Sequence, residues 1–275
     1  MSIVEAWLAE LQERFGGLSL TVSDVRIGVF YSAARISTGH TGVAFTPRNL
    51  ADTVCCPQSA ASAPPAGRMA GRDAWELASY SFSDVPLRRA VGVAVLNALS
   101  AHAMETDAVE GVRILPGVDA LDAAGVEAED TVAMVGGFTP FIKRLKGQVQ
   151  ELWIVDKHPE ALKPDEAELW WPPNKASEII PQASVIIITG SALVEGGLDE
   201  LLAASSGARR VVLAGPTASP WPPPFFARGV HLLGGIRVLD GERILQIVSE
   251  GGSGYFFEDG AEKICMVPSS STAQV

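Results

Sequence analysis

The chain runs to 275 residues, of which 47% are hydrophobic and 19% charged, with a net charge of -11 and a pI near 4.8. That length and apolar content support two modest domains with cores of their own, while the acidic balance lacks the basic footprint that a phosphate backbone requires, so nucleic acid is not an expected partner. No basic stretch precedes an apolar segment at the start, and no apolar run approaches the roughly 20 residues that span a bilayer, so a cytoplasmic protein without membrane association is expected.

In chain order, Ser2 and Glu5 have the spacing of a capping box, and Trp7, Leu8, Leu11 and Phe15 recur at helical intervals until Gly16-Gly17 ends the pattern. Val25, Ile27, Val29 and Tyr31 then alternate with other residues, and a second extended segment at 42–46 follows the turn-rich 37–40, which predicts an antiparallel hairpin or meander. A loop rich in Ala, Ser, Pro and Gly occupies 57–71 before helix signals resume at 73–79 and 86–102, with Pro86 suited to a helix start. Residues 1–108 therefore read as an α+β domain. Residues 109–128, with Pro116, Gly117 and Gly125, read as a connection in which Leu121 belongs to a short packed helix.

Residues 129–275 alternate strand and helix, the pattern of an α/β domain. Short apolar strands are predicted at 132–135, 152–155, 185–189, 211–213 and 230–233, and helices at 140–146, 176–180, 197–204 and 244–250. Prolines make loops of 170–173 and 217–224. The expected fold is a doubly wound parallel sheet of Rossmann-like type.

Ligands of such sheets bind beyond the carboxyl ends of the strands, near the point where strand order reverses. Four turns qualify: Gly136-Gly137-Phe138, Asp156-Lys157-His158, Thr189-Gly190-Ser191 and Gly215-Pro216-Thr217. Gly136 and Gly137 let the backbone turn and approach a ligand, Thr139 is placed to cap the next helix, and Asp156 lies 20 residues after Gly136, where a ribose-binding carboxylate would sit. The third glycine of a dinucleotide fingerprint is missing, because residues 138–141 read Phe-Thr-Pro-Phe. Thr189, Ser191 and Thr217 would complete a polar lining.

Of the four histidines, His102 and His231 read as structural, while His158, at the ligand-facing edge, and His40, in a glycine-bracketed turn, are candidates for acid, base or ligand. No histidine lies in a local metal motif. The three cysteines, Cys55 and Cys56 adjacent and Cys265 distant, form neither a disulfide framework nor a paired zinc site. Nucleophile-elbow, phosphate-loop and kinase motifs are also lacking. Two aromatic and proline loops, Trp170-Trp171-Pro172-Pro173 and Trp221-Pro222-Pro223-Pro224-Phe225-Phe226, read first as rigid packing and second as a ligand-stacking wall.

The run Val132-Ala133-Met134-Val135-Gly136-Gly137-Phe138-Thr139-Pro140, Asp156 after the second strand, Thr189-Gly190-Ser191, and Gly215-Pro216-Thr217-Ala218-Ser219-Pro220 together resemble the "putative heavy-metal chelation" family over nearly the whole chain. The resemblance implies an enolase N-terminal-like α+β domain joined to a Rossmann-like domain, with a cleft between them that handles a metal ion or a metal-chelating small molecule. It does not imply enolase chemistry, since the catalytic barrel of enolases has no counterpart here. A small-molecule ligand is thus expected, either a metal chelate or a nucleoside cofactor. Two alternatives stay open: a transferase using a cofactor such as S-adenosylmethionine, and a non-catalytic interaction protein whose aromatic–proline loops form the interface of a homo-oligomer.

Overall fold

The computed structural model describes residues 1–47 and 61–270. Cys55, Cys56 and the first part of the loop expected at 57–71 lie outside the described residues. The chain opens with helix α1 (Ile3–Phe15), where the Ser2 hydroxyl accepts from Glu5 N at 3.2 Å and Trp7, Leu8 and Leu11 turn inward. Strands β1 (Val22–Ile27), β2 (Tyr31–Ile36) and β3 (Thr41–Phe45) then form an antiparallel sheet in the order β1-β2-β3. Helix α2 (Ala74–Ala78) is capped by Asp73, which accepts from Glu76 N at 2.9 Å. It leads to α3 (Pro86–Thr106), which is buried almost all round between residues 90 and 100, as expected of a helix covered on every side. Gly42 allows β3 to lie directly on α3, because a Cβ there would sit 2.3 Å from Ala94 O.

The remaining strands build one eight-stranded sheet. They are β4 (Val112–Pro116), β5 (Thr131–Val135), β6 (Glu151–Val155), β7 (Trp170–Trp171), β8 (Val185–Thr189), β9 (Arg210–Ala214), β10 (Leu232–Val238) and β11 (Ala261–Pro268). Their order is β4-β11-β10-β9-β8-β5-β6-β7. The run from β10 to β7 is parallel throughout, and β11 pairs antiparallel with both β10 and β4. From β5 the chain steps outward through β6 and β7, then returns to β8, β9 and β10 on the other side. Strand order therefore reverses between β5 and β8.

Three expectations change. The connection at 109–128 supplies an edge strand, β4, beside the short packed helix expected at Leu121, α4 (Ala120–Ala124), which is capped by Asp119 and ended by left-handed Gly125. Trp170 and Trp171 form an edge strand against Ile154 and Val155 instead of a loop. The predicted loop at 217–224 ends in the single-turn helix α9 (Pro223–Phe226). Helices α5 (Thr139–Leu145), α6 (Ala176–Ile179), α7 (Ala192–Glu195), α8 (Leu198–Ala204) and α10 (Gly241–Ser249) link or flank the strands. No helix among the described residues is long and apolar enough to cross a membrane.

One apolar core joins α1, α3 and one face of the large sheet, including Ala133, Ile186, Leu213 and Ile264. Trp221 and Phe225, fully buried, belong to it, and Trp7 meets Phe225 edge-on at 5.7 Å. The loop that carries them is packing. The Ser100 hydroxyl ties the same region together, accepting from Trp7 Nε1 at 2.8 Å and Trp221 N at 2.9 Å. A second core covers the opposite face with α4 and α5, and a third packs α10 onto β2 and β3. Each fully buried Leu, Ile or Phe side chain in these cores stabilises the fold by about 1.5–3 kcal/mol.

Candidate functional site

The turns after β5, β6, β8 and β9 meet at one edge of the large sheet. Gly136 has φ +96° and its N–H donates to Val155 O at 2.9 Å; a Cβ at this position would lie 2.8 Å from Thr189 Cγ2. The turns on either side of the reversal in strand order are thus in contact. Gly137 is exposed, and its N–H donates to Asp156 Oδ2 at 2.6 Å, while Asp156 Oδ1 accepts from His158 N at 2.8 Å. Trp170 Nε1 donates to Asp156 O at 2.9 Å, so the edge strand β7 holds the Asp156 turn in place. A carboxylate has about four acceptor sites, so Asp156 retains acceptor capacity beyond these two bonds.

Phe138 stacks on Phe141 at 5.2 Å, and its Cε1 lies 3.6 Å from where a Cβ of Gly215 would stand. Gly215, at φ +110°, donates to Gly234 O at 2.9 Å. The small residues at 136 and 215 let the turns close on one another. Thr139 does not cap the helix as expected: it is the first helical residue of α5, and Phe138 takes the cap position without a side-chain bond.

Other expected residues are also bonded within the fold. Gly190 is buried and donates to Ala214 O at 2.7 Å, and a Cβ there would come 2.8 Å from Ala218 N. The Thr189 hydroxyl accepts from Ser191 N at 3.3 Å. Thr217 is 2% exposed; its hydroxyl accepts from Phe45 N at 2.9 Å and its carbonyl from Asn97 Nδ2 at 2.9 Å. Pro216 lies beside Gly254, whose Cβ position is 3.2 Å from Pro216 Cγ and 3.3 Å from the Tyr31 hydroxyl. The first sheet therefore reaches this edge through Phe45 and Tyr31, whose strands were expected but whose place at this edge carries no local sequence signal. The glycine-rich run at 251–254 was the legible sign of a close approach.

The two candidate histidines part company. His158 is exposed at the rim, with Nδ1 2.9 Å from Glu160 Oε1. His40 pairs through Nε2 with Glu105 and through Nδ1 with the Thr38 hydroxyl at 2.9 Å, and it lines a separate cavity that includes none of the residues expected at the four turns. His102, 5.1 Å from the His40 ring, is held below its ordinary value by burial and by His40, which together outweigh the attraction of Glu105. Burial pushes the Cys265 thiol up to about 12, assisted by Asp119 and Asp122, so it offers no thiolate at neutral pH. At the rim, Lys157 bonds Glu195 at 2.9 Å, joining the β6 turn to α7. Among the described residues, no group of three or more His, Cys, Asp or Glu is placed to hold a metal ion.

Two family models match the chain, both described as "Putative heavy-metal chelation", one over residues 119–267 and the other over residues 9–100. The chain belongs to this heavy-metal chelation family. A curated relative, an uncharacterized protein of Methanocaldococcus jannaschii, is 24% identical over 185 residues, a match spanning 66% of this chain and 66% of that protein, a little under two thirds of its length. Two solved structures of proteins with unknown function from the DUF364 family share the fold. The one from Pyrococcus horikoshii has a TM-score of 0.72 and 21% identity over 96% of this chain and 98% of its own. The one from Desulfitobacterium hafniense has a TM-score of 0.72 and 20% identity over 96% of this chain and 97% of its own.

Proposed function

We propose that the chain binds a small polar or anionic metal-chelating compound in the crevice formed by the turns after β5, β6, β8 and β9, between a Rossmann-like domain and an enolase N-terminal-like domain. The observation that carries this reading is the contact between Gly136 and Thr189 where strand order reverses, with Asp156 bonded to Gly137 beside it. That is where open α/β sheets hold their ligands. Directly bound soft metal does not fit the residues present, since thiolate or imidazole clusters are lacking among the described residues. The organic shell of a chelate fits them better: Asp156 accepts from its hydroxyl or amine groups, and Phe138 gives an apolar wall. Native mass spectrometry of gently purified protein, paired with elemental analysis, tests this. A retained small molecule carrying stoichiometric metal is expected; a protein that also fails to take up added iron or nickel citrate overturns the reading.

A second reading, a transferase using a nucleoside cofactor such as S-adenosylmethionine, draws on one observation. The parallel run β7-β6-β5-β8-β9-β10 matches the order of dinucleotide-binding sheets, and Asp156 follows the second strand. Equilibrium dialysis against labelled S-adenosylmethionine and NAD separates the two, because retention of neither removes the transferase.

A further inference from the structure

The turn between β2 and β3 meets the C-terminal part of α3 through a cluster of ionisable groups that lies apart from the strand-end crevice. His40, whose side chain is 19% exposed, pairs through Nε2 with Glu105 and through Nδ1 with the Thr38 hydroxyl. Behind it sits His102, 8% exposed, with its ring edge-on to His40 at 5.1 Å and tilted against Phe15 of α1 at 5.9 Å.

This arrangement accommodates one positive ring. A proton on His40 is matched by Glu105. A second proton, on His102, is matched by nothing. His102 Nδ1 is buried without a hydrogen-bond partner, so a protonated ring would hold a charged donor with no acceptor beside another cation. Charges on the neighbouring elements are engaged elsewhere, Arg14 of α1 with Asp107 at 2.9 Å and Arg237 of β10 with Glu262 at 2.7 Å. His40 and Glu105 are the charged groups that act on His102, and burial with His40 outweighs Glu105.

The strand and its turn are fastened to α3 differently. Asn97 Nδ2 donates to Val43 O at 2.8 Å, and Gly42 lies directly on the α3 backbone, so β3 is held along its length. Ser37 N donates to Thr21 O at 2.7 Å, which anchors the start of the turn. Residues 38–40 are attached to α3 by the His40–Glu105 pair, next to Gly39 at φ +93°, where even a Cβ would meet nothing within 4 Å.

We propose that residues 38–40 form an acid-released latch: as pH falls His102 takes up a proton, the His40 ring is driven off it, and the end of the hairpin leaves α3. Release opens the cavity of about 410 Å³ that His40 and Glu105 line between β3, α3 and the β10–β11–β4 flank of the large sheet. The sign follows from linkage. The closed latch opposes the proton, whereas water around a released ring restores the ordinary value of 6.5, so proton uptake shifts the population toward the open form below about that pH.

NMR of the isotopically labelled full chain from pH 8 to pH 5 tests this through two signals. One is the cross-peak between the His40 ring and the Glu105 side chain; the other is the Asn97 side-chain amide, whose protection from exchange reports the bond to Val43. The cross-peak is expected at pH 8 and lost at pH 5, while the Asn97 amide stays protected throughout. His102→Gln, which cannot take the proton, is expected to keep the cross-peak at pH 5. A cross-peak that survives at pH 5 in the unaltered chain overturns the proposal. So does loss of Asn97 protection together with the cross-peak, which would be unfolding of the whole strand–helix contact, and so does loss of the cross-peak in a folded His102→Gln protein. The first two outcomes are read on the unaltered chain and stand even if that variant does not fold.

Discussion

Gly136 and Gly137 are neighbours, yet they should tolerate a side chain very differently. At Gly136 the backbone is left-handed, at φ +96°, and the new Cβ would overlap Thr189, so Gly136→Val should destabilise the protein by about 2 kcal/mol or more. At Gly137 the nearest obstacle is the Asp156 carboxylate at 3.3 Å in an exposed turn, and Gly137→Val should remain within about 1 kcal/mol. Urea unfolding measures both, and equal losses would contradict this account of the turn. Asn97→Leu should lose about 2–4 kcal/mol, because Val43 O and Thr217 O would both be left unpaired in the interior. Thr217 shows where reading by residue type stops. A threonine after Gly-Pro at a strand end offers a hydroxyl for a ligand, but that hydroxyl accepts from Phe45, 172 residues away, and no local pattern reports such a partner.

At the scale of elements, local chemistry was legible wherever burial was uniform. The buried strands β5 and β8 read as unbroken apolar runs, as strands covered on both faces should. Edge strands did not. Strand β4 mixes intermediate and exposed residues and β7 is two residues long, so neither has an apolar run that separates strand from loop, whereas the interior strand β11 opens with Glu262 and Lys263 before its buried apolar run at 264–267. In β10, Gly234 and Gly235 interrupted the strand signal, although both pack closely, with Cβ positions 2.3 Å from Ala120 Cβ and Ala218 O respectively. Helix α1 was readable from its cap and its spacing, and both should count in stability. Ser2→Ala should lose about 1 kcal/mol. Trp7→Ala should lose about 3–5 kcal/mol by opening the shared core at Phe225 and Ser100. Chemical denaturation that ranked the two substitutions equally would mean that α1 is held by its surface and not by its buried face.

For the whole molecule, the sequence indicated two kinds of architecture but not how they meet: α3 lies against the large sheet and completes one core with it. Two histidines, one buried and one half-buried, give stability a pH dependence. His102 is held below its ordinary value of 6.5 by burial and by His40, and His231 by burial and by Arg210. The unfolded chain therefore takes up protons first on acidification, so stability is full above about pH 6.5 and declines as pH falls below it. Asp130 acts in a lower window. Burial alone would raise its carboxyl, but Arg209, Glu127 N–H and the Ser184 hydroxyl outweigh burial and hold it below the ordinary carboxylate value of 3.8. Its contribution is present above that value and is lost as pH falls through the depressed one. Unfolding free energy measured from pH 8 to pH 5 should fall on the acid side, and a double His102→Gln, His231→Gln variant should flatten that fall; an unchanged slope would place its source elsewhere.

The central claim is that the turns around Gly137 and Asp156 are where the family's ligand sits. The direct measurement is retention of co-purified ligand by the unaltered chain and by a Gly137→Val, Asp156→Ala double variant, read by native mass spectrometry with elemental analysis at matched thermal stability. The account predicts that the small molecule and its metal are present in the first and lost from the second. Equal retention in both proteins would contradict it.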